Sequence, residues 1–367
     1  MNVKVLIAAG GTGGHITPGV AIANALKDAG HDILFVGTRL GMEVDLVPKA
    51  GYKIEFIHAK GLKKGSIFKN FDAICELNKG VSEVKKIIKN ENIDIVIGTG
   101  GYVTAPAILA AMKCKVPTFI HESNALPGKT ITWLSPKVDT TALGFEASIQ
   151  RLPKAKHAVF TGNPTKFKAY SSKEEARKKL GIKKPLVLVF GGSQGAKRIN
   201  ETMVELINNA KIEDYQIIYA TGPANYDEIM SKINQDNEWI KNGNVKIEKY
   251  IYNMDEVMTA SDIAVCRSGA LTVTELGIAG VPAILIPFPY AAENHQFFNA
   301  KTIADNGGGV VIEEKDLTKD ILESTIVSIL ADREKYESMK KCALRKENVG
   351  AIDRIMNEIN KIARWFF

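Results

Sequence analysis

Val3-Lys4-Val5-Leu6-Ile7-Ala8-Ala9-Gly10-Gly11-Thr12-Gly13-Gly14-His15 opens the chain, and Leu186-Val187-Leu188-Val189-Phe190-Gly191-Gly192-Ser193-Gln194-Gly195-Ala196 opens its second half. Each is an apolar run of strand length that ends in glycines and passes into a helical pattern. A buried strand that turns into a helix in this way presents backbone N–H groups and a positive helix end, a seat for phosphate. Two such loops predict two nucleotide-type halves facing one central cleft.

Outward from these loops, short β-branched runs alternate with amphipathic helical segments, the pattern of a parallel sheet covered on both faces. In the first half the strands are expected at Val3 to Ala8, Asp32 to Val36, Ile54 to Ile57, Ile93 to Ile97, Thr118 to His121 and Ala158 to Phe160. In the second they are expected at Leu186 to Phe190, Gln216 to Ala220, Val245 to Ile247, Ile263 to Val265, Ala283 to Ile286 and Gly309 to Ile312. The fold class is therefore α/β, with two Rossmann-like, doubly wound parallel-sheet domains. Asp94-Ile95-Val96-Ile97 followed by Val116-Pro117 is echoed by Asp262-Ile263-Ala264-Val265 followed by Val281-Pro282. Thr161-Gly162-Asn163-Pro164 punctuates the middle of the chain, which gives domains 1–162 and 163–345. A last helix at about 346–367, ending in Trp365-Phe366-Phe367, is expected to pack back on the first domain, because a free aromatic tail is a liability in water.

The 367 residues exceed one ordinary core. A net charge of +7 and a pI near 9.0 point to an anionic partner: nucleic acid, an anionic membrane or a phosphorylated substrate. Nucleic acid is disfavoured, since no basic-aromatic recognition module is present. Cys75, Cys114, Cys266 and Cys342 are too scattered for a zinc site and read as reduced thiols of a cytosolic protein. The amino terminus runs straight into a strand without the apolar region of a signal peptide, and no stretch reaches the roughly 20 apolar residues of a membrane span. Any membrane contact is expected to be peripheral.

The first loop is not a dinucleotide fingerprint. Ile16 stands where the third glycine of G-x-G-x-x-G belongs, and the second strand ends Val36-Gly37-Thr38-Arg39 with no acid for a ribose diol. What the loop offers is permissive backbone and His15, an imidazole able to take a proton from an attacking sugar hydroxyl. Glu122, in His121-Glu122-Ser123-Asn124, is the alternative base; its structural reading is a carboxylate that fixes a loop. A third glycine turn, Gly98-Thr99-Gly100-Gly101-Tyr102, either holds a phosphate-bearing acceptor or is simply a tight turn. In the second half Ser193 is placed to meet a diphosphate, and Arg267-Ser268-Gly269-Ala270-Leu271-Thr272-Val273-Thr274-Glu275 repeats the anion-seat pattern, with Glu275 able to accept both ribose hydroxyls.

Taken together and in order, Gly10 to His15, Gly100-Gly101-Tyr102-Val103, His121 to Asn124, Gly162-Asn163-Pro164, Gly191 to Gly195 and Ala270 to Glu275 resemble the MurG family, the UDP-N-acetylglucosamine transferases of bacterial peptidoglycan synthesis, over essentially the whole chain. The resemblance implies a GT-B fold and inverting transfer of GlcNAc from UDP-GlcNAc to the C4 hydroxyl of MurNAc in undecaprenyl-diphospho-MurNAc-pentapeptide, lipid I to lipid II. It implies donor contacts at Thr12, Gly13, Gly14, Asn124, Lys166, Ser193, Ile251, Ala270, Leu271, Thr272, Val273, Thr274, Glu275 and Gln296. Ile251 would meet the uracil through its backbone, Glu275 the ribose and Gln296 the sugar hydroxyls. His15 is the implied base, and Gly100, Gly101 and Tyr102 lie by the acceptor. Two positions depart from the family pattern: Lys166 replaces an arginine, exchanging a forked contact for a point charge, and His295-Gln296 replaces a glutamine pair.

No cofactor is expected and no Asp-x-Asp metal motif is present, with stimulation by a divalent cation left open. Lys60-Gly61-Leu62-Lys63-Lys64-Gly65-Ser66-Ile67-Phe68-Lys69-Asn70-Phe71, with Lys85, Lys86 and Lys89, mixes cations and apolar groups either as an interfacial surface on the cytoplasmic face of a membrane would or as an ordinary solvated helix-loop with a few buried phenylalanines does. The competing readings are another nucleotide-sugar enzyme of the same fold, a glycolipid transferase or an epimerase, and a non-catalytic nucleotide-sugar sensor.

Overall fold

The computed structural model describes residues 2–61, 71–167 and 172–364. Most of the basic-apolar stretch Lys60 to Phe71, and the tail Trp365-Phe366-Phe367, lie outside the described residues. The chain divides into two compact units, Met1–Lys166 with Glu347–Phe367 and Phe167–Lys346.

In the first unit, β1 (Lys4–Ala8), β2 (Asp32–Gly37), β3 (Lys53–Phe56), β4 (Ile95–Gly98), β5 (Thr118–Glu122), β6 (Thr140–Leu143) and β7 (Ala158–Phe160) form one parallel sheet in the order β3-β2-β1-β4-β5-β6-β7. Helices cover both faces, so strands such as β1 and β4 are buried on either side and read as unbroken apolar runs. Strand β6, Thr-Thr-Ala-Leu, was not foreseen, because its threonines resemble a polar loop. They are nonetheless buried, as β-branched residues can be in an inner strand.

The second unit repeats the plan with β8 (Leu186–Phe190), β9 (Gln216–Ala220), β10 (Val245–Glu248), β11 (Ile263–Cys266), β12 (Ala283–Leu285) and β13 (Gly309–Val311), parallel and ordered β10-β9-β8-β11-β12-β13. The sequence echo has a structural counterpart. Asp94 enters β4 by accepting from the Lys4 N–H of β1 at 2.7 Å, and Asp262 enters β11 by accepting from the Leu186 N–H of β8, also at 2.7 Å. In both sheets the aspartate joins the first strand to the one beside which the strand order reverses.

The C-terminal helix Ala351–Arg364 belongs to the first unit. Its buried Ile355, Ile359 and Ile362 recur at helical spacing and pack with Val20, Ala23 and Ile16 from the helix Gly13–Asp28. Arg354 fastens it further, donating to the carbonyl of Thr161 at 2.9 Å and to that of Val349 at 2.8 Å. Among the described residues, no helix is long and apolar enough to cross a membrane.

Candidate active site

Each sheet reverses its strand order once, between β1 and β4 in the first unit and between β8 and β11 in the second. At such a switch point the connections at the carboxyl ends of the two strands diverge and leave a crevice, the usual ligand position in an open α/β sheet. The glycine turns after β1, β4, β8 and β11 lie at these two places, and Gly162 follows the edge strand β7.

In the first unit the turns after β1 and β4 interlock. Gly101, at φ +80°, lies so close to the first turn that an added Cβ would sit 2.2 Å from the Gly10 carbonyl oxygen. Gly100, at φ +113°, bears directly on the His15 ring. His15 lies in the first turn of the helix Gly13–Asp28, where its carbonyl accepts from the Thr99 hydroxyl at 2.9 Å. Its Nδ1 stands 3.2 Å from the Gly10 carbonyl oxygen and 3.4 Å from Thr12 Oγ1. The structure thus assembles Thr12, Gly13, Gly14, His15, Gly100 and Gly101 at one switch point. Tyr102 follows on the same turn, 60% exposed.

This turn is less open to anions than its glycines suggest. The Gly11 N–H, at the centre of the expected phosphate seat, donates instead to Glu43 Oε2 at 2.8 Å. Sequence reasoning missed Glu43, which looks like an ordinary acidic residue opening the short helix Glu43–Lys49 yet is fully buried.

Glu122 ends β5 and is also buried. Its Oε1 accepts from the Asn124 backbone N–H at 2.8 Å and from Asn124 Nδ2 at 3.0 Å, while Oε2 accepts from the Gly128 N–H at 2.8 Å. These bonds favour the loop-fixing reading over the base: Glu122 sets the position of Asn124 and bridges to Gly128. Beside it, burial holds the His121 imidazole neutral with a pKa lowered to about 4, while a contact of 3.2 Å to the Gly162 carbonyl fixes Nε2 as its donor. Lys166 is exposed at the end of the unit.

In the second unit the turn after β8 is wound so tightly that a Cβ on Gly195 would lie 2.0 Å from the Thr221 carbonyl oxygen, and one on Gly222 2.5 Å from that of Gln194. The exposed Ser193 rides at its tip. From the end of β11, Gly269 caps the helix Ala270–Ala279, which carries Leu271 to Glu275 in its first turns. Glu275 is half-buried there, Val273 and Thr274 are buried, and the Thr274 hydroxyl donates to the Ala270 carbonyl at 3.0 Å. Gln296 is locked at both ends: its carbonyl accepts from the Ser268 hydroxyl at 2.8 Å, and its side-chain Oε1 accepts from the Phe288 N–H at 2.9 Å. That bond orients the side-chain amide, whose two N–H groups are left to donate to a sugar. Just before it, Glu293 and Asn294 hold left-handed backbone at φ 53° and 57°, a conformation costly for non-glycine residues. Ile251 is buried just beyond β10.

Arg267, a second residue without a role in the sequence reading, braces this region. It donates to the carbonyls of Ile286 at 3.1 Å and Pro287 at 3.2 Å, pairs with Glu314 and lies over the Phe288 ring. Its guanidinium thus joins the ends of β11 and β12 to the turn after β13. Among the described residues, no three His, Cys, Asp or Glu side chains gather as a metal site.

Residues 5–143 match the glycosyltransferase family 28 N-terminal domain and residues 186–355 the glycosyltransferase family 28 C-terminal domain. A fold of two parallel α/β units with glycine turns at both switch points is that of the GT-B glycosyltransferases, and the chain is a glycosyltransferase of this class. The crystal structure of Acinetobacter baumannii MurG superposes with a TM-score of 0.80 at 27% identity, covering 98% of this chain and 99% of that one. A UDP-N-acetylglucosamine 2-epimerase structure from Listeria monocytogenes, at a TM-score of 0.62 and 16% identity, shares the fold alone. The Acetivibrio thermocellus UDP-N-acetylglucosamine–N-acetylmuramyl-(pentapeptide) pyrophosphoryl-undecaprenol N-acetylglucosamine transferase is 45% identical over 368 residues, 99% of each chain. The Clostridioides difficile protein of the same name is 40% identical over 98% of this chain and 89% of its own. The chain belongs to the MurG family.

Proposed function

We propose that the protein transfers GlcNAc from UDP-GlcNAc to the C4 hydroxyl of MurNAc in undecaprenyl-diphospho-MurNAc-pentapeptide, converting lipid I into lipid II with inversion at the anomeric carbon. The observation that carries this reading is 45% identity across the full chain to a transferase named for that reaction. The site chemistry agrees with it. As O4 of the acceptor bonds to the anomeric carbon, its proton passes to His15 Nε2, and the bond from that carbon to the UDP oxygen breaks with its electron pair on UDP. The helix start at Gly269–Ala270, the turn Gly191 to Ala196 with Ser193, and Lys166 are suited to the charge that builds on the diphosphate. Glu275 accepts from the ribose hydroxyls, the Ile251 backbone meets the uracil, and Gln296 donates to the sugar. Thr12, Gly13, Gly14 and Asn124 complete the donor contacts. Gly100, Gly101 and Tyr102 receive the acceptor. In this reading no resident cofactor takes part, and stimulation by a divalent cation is left open.

The enzyme acts as a peripheral protein on the cytoplasmic face of an anionic membrane, where its lipid-linked acceptor resides. The charge of +7 supports this, as does an exposed surface on the first unit, where the Lys137 ammonium lies 3.8 Å from the centre of the half-exposed Trp133 ring. Incubation with labelled UDP-GlcNAc and a lipid I analogue tests the assignment. UDP release that depends on the acceptor supports it. Release of free ManNAc or UDP-ManNAc would instead indicate an epimerase, a labelled glycolipid would indicate a lipid transferase, and binding without turnover would indicate a sensor.

A further inference from the structure

Glu43 is a fully buried carboxylate with no assigned role, and its surroundings are shaped around it. A Cβ on Gly10 would lie 2.8 Å from Glu43 Oε1, one on Gly37 2.6 Å from its Cγ and one on Gly41 1.9 Å from its Oε2. Its Oε1 accepts from the Thr38 N–H at 2.9 Å and the Thr38 hydroxyl at 2.8 Å, and its Oε2 from the Gly11 N–H at 2.8 Å. The last bond is the informative one. The Gly11 N–H and the Gly10 carbonyl belong to a single peptide group, and that carbonyl faces His15 Nδ1 at 3.2 Å.

We propose that Glu43 is a positioning residue for His15 that acts through the Gly10–Gly11 peptide: carboxylate to N–H on one side, carbonyl to imidazole Nδ1–H on the other. This rests on the reading of His15 as the base. A carbonyl oxygen can only accept, so the contact requires the proton on Nδ1 and leaves Nε2 as the nitrogen that receives the acceptor's proton. A carboxylate pulling on the N–H polarises the peptide and strengthens its carbonyl as an acceptor. As Nε2 takes up the proton, positive charge forms on a ring near a helix N-terminus, which opposes it. The buried negative charge of Glu43 favours it. The arrangement does the work of the orienting carboxylate of a catalytic triad with one peptide interposed.

Other charged or titratable groups on elements around this turn are placed differently. Asp45 and Lys49 share the helix of Glu43, Arg39 lies over the Phe56 ring, Tyr102 is exposed after β4, Arg354 donates to the carbonyls of Thr161 and Val349, and Glu358 accepts from Lys361 and lies 3.3 Å from His157. Lys27 and Asp28 are about three turns away on the helix of His15 itself.

The test is titration of the full-length protein with labelled histidine, following the His15 ring nitrogens by NMR in wild type, Glu43→Gln and Glu43→Asp, alongside steady-state kinetics. The wild type is expected to show the Nδ1–H tautomer. Removing the charge lowers the His15 midpoint, so midpoints should fall from wild type through E43D to E43Q, and the acidic limb of kcat/KM should move to lower pH in the same order. E43Q is expected to lower kcat by about 10- to 100-fold, with KM for UDP-GlcNAc unchanged and E43D intermediate. If E43Q does not fold, E43D decides. An unchanged tautomer and midpoint in whichever variants fold would reduce Glu43 to a structural brace. The NMR result needs no acceptor, so it stands apart from any failure of the lipid I assignment.

Discussion

A Cβ placed on Gly100 would lie 2.4 Å from Cδ2 of His15, so the proposed base and the glycine turn after β4 occupy adjoining space that only a hydrogen leaves open. The φ of +113° at Gly100 independently disfavours a side chain. Gly100→Ala should therefore shift the imidazole, and a displacement of about 1 Å at a reacting group can cost about 100-fold. We expect kcat to fall by at least about that factor while calorimetry shows near-normal binding of UDP-GlcNAc, because the proposed donor contacts of the second unit are untouched.

His15→Ala removes the proposed base and leaves the turn intact. A positioned general base contributes about 100- to 10,000-fold, so kcat should drop within that range with donor affinity preserved. Loss of affinity with kcat preserved would assign His15 to binding. Glu122→Gln should behave differently: Glu122 accepts from Asn124 at Oε1 and from Gly128 at Oε2, and an amide has one oxygen for the two, so the loosened loop should raise KM for the donor more than it lowers kcat.

Glu275 is half-buried on the helix Ala270–Ala279. In the proposed role its carboxylate accepts from two ribose hydroxyls, and a hydrogen bond to a charged group is worth about 1.5–3 kcal/mol. Glu275→Ala should raise KM for UDP-GlcNAc by at least about 10-fold. A donor lacking the 2′-hydroxyl should be weakened for the wild type and lose little more with the variant. Equal losses on both backgrounds would place Glu275 away from the ribose.

Burial depresses the His121 pKa to about 4, against about 6.5 when exposed, so the unfolded chain binds the extra proton between those values. Stability of the first unit is therefore undiminished by this group above about pH 6.5 and is lost as the pH falls toward 4, by about 3 kcal/mol in all. Denaturant unfolding of that unit at pH 7 and pH 5 should show a smaller pH dependence in His121→Gln than in wild type.

The sheet strands were legible because a parallel strand buried on both faces must be continuously apolar, as in Leu186 to Phe190. The glycine turns were legible because positive φ at Gly11, Gly192 and Gly195 demands that residue. Glu43 and Arg267 were not. The burial of Glu43 depends on Gly10, Gly37 and Gly41, and Arg267 meets Ile286, Pro287 and Glu314, partners brought together only when separate connections converge. Local periodicity carries no trace of such meetings. Strand β6 was missed for the opposite reason, since its neighbours supply the apolar environment that Thr140 and Thr141 do not advertise.

The most direct measurement is analysis of the product formed from UDP-GlcNAc and a lipid I analogue, reading both the linkage and the anomeric configuration of the new bond. The expected result is one UDP released per acceptor consumed and a β-linked GlcNAc on C4 of MurNAc. UDP formed without that product, or an α-linked or differently attached sugar, would contradict inverting transfer to lipid I.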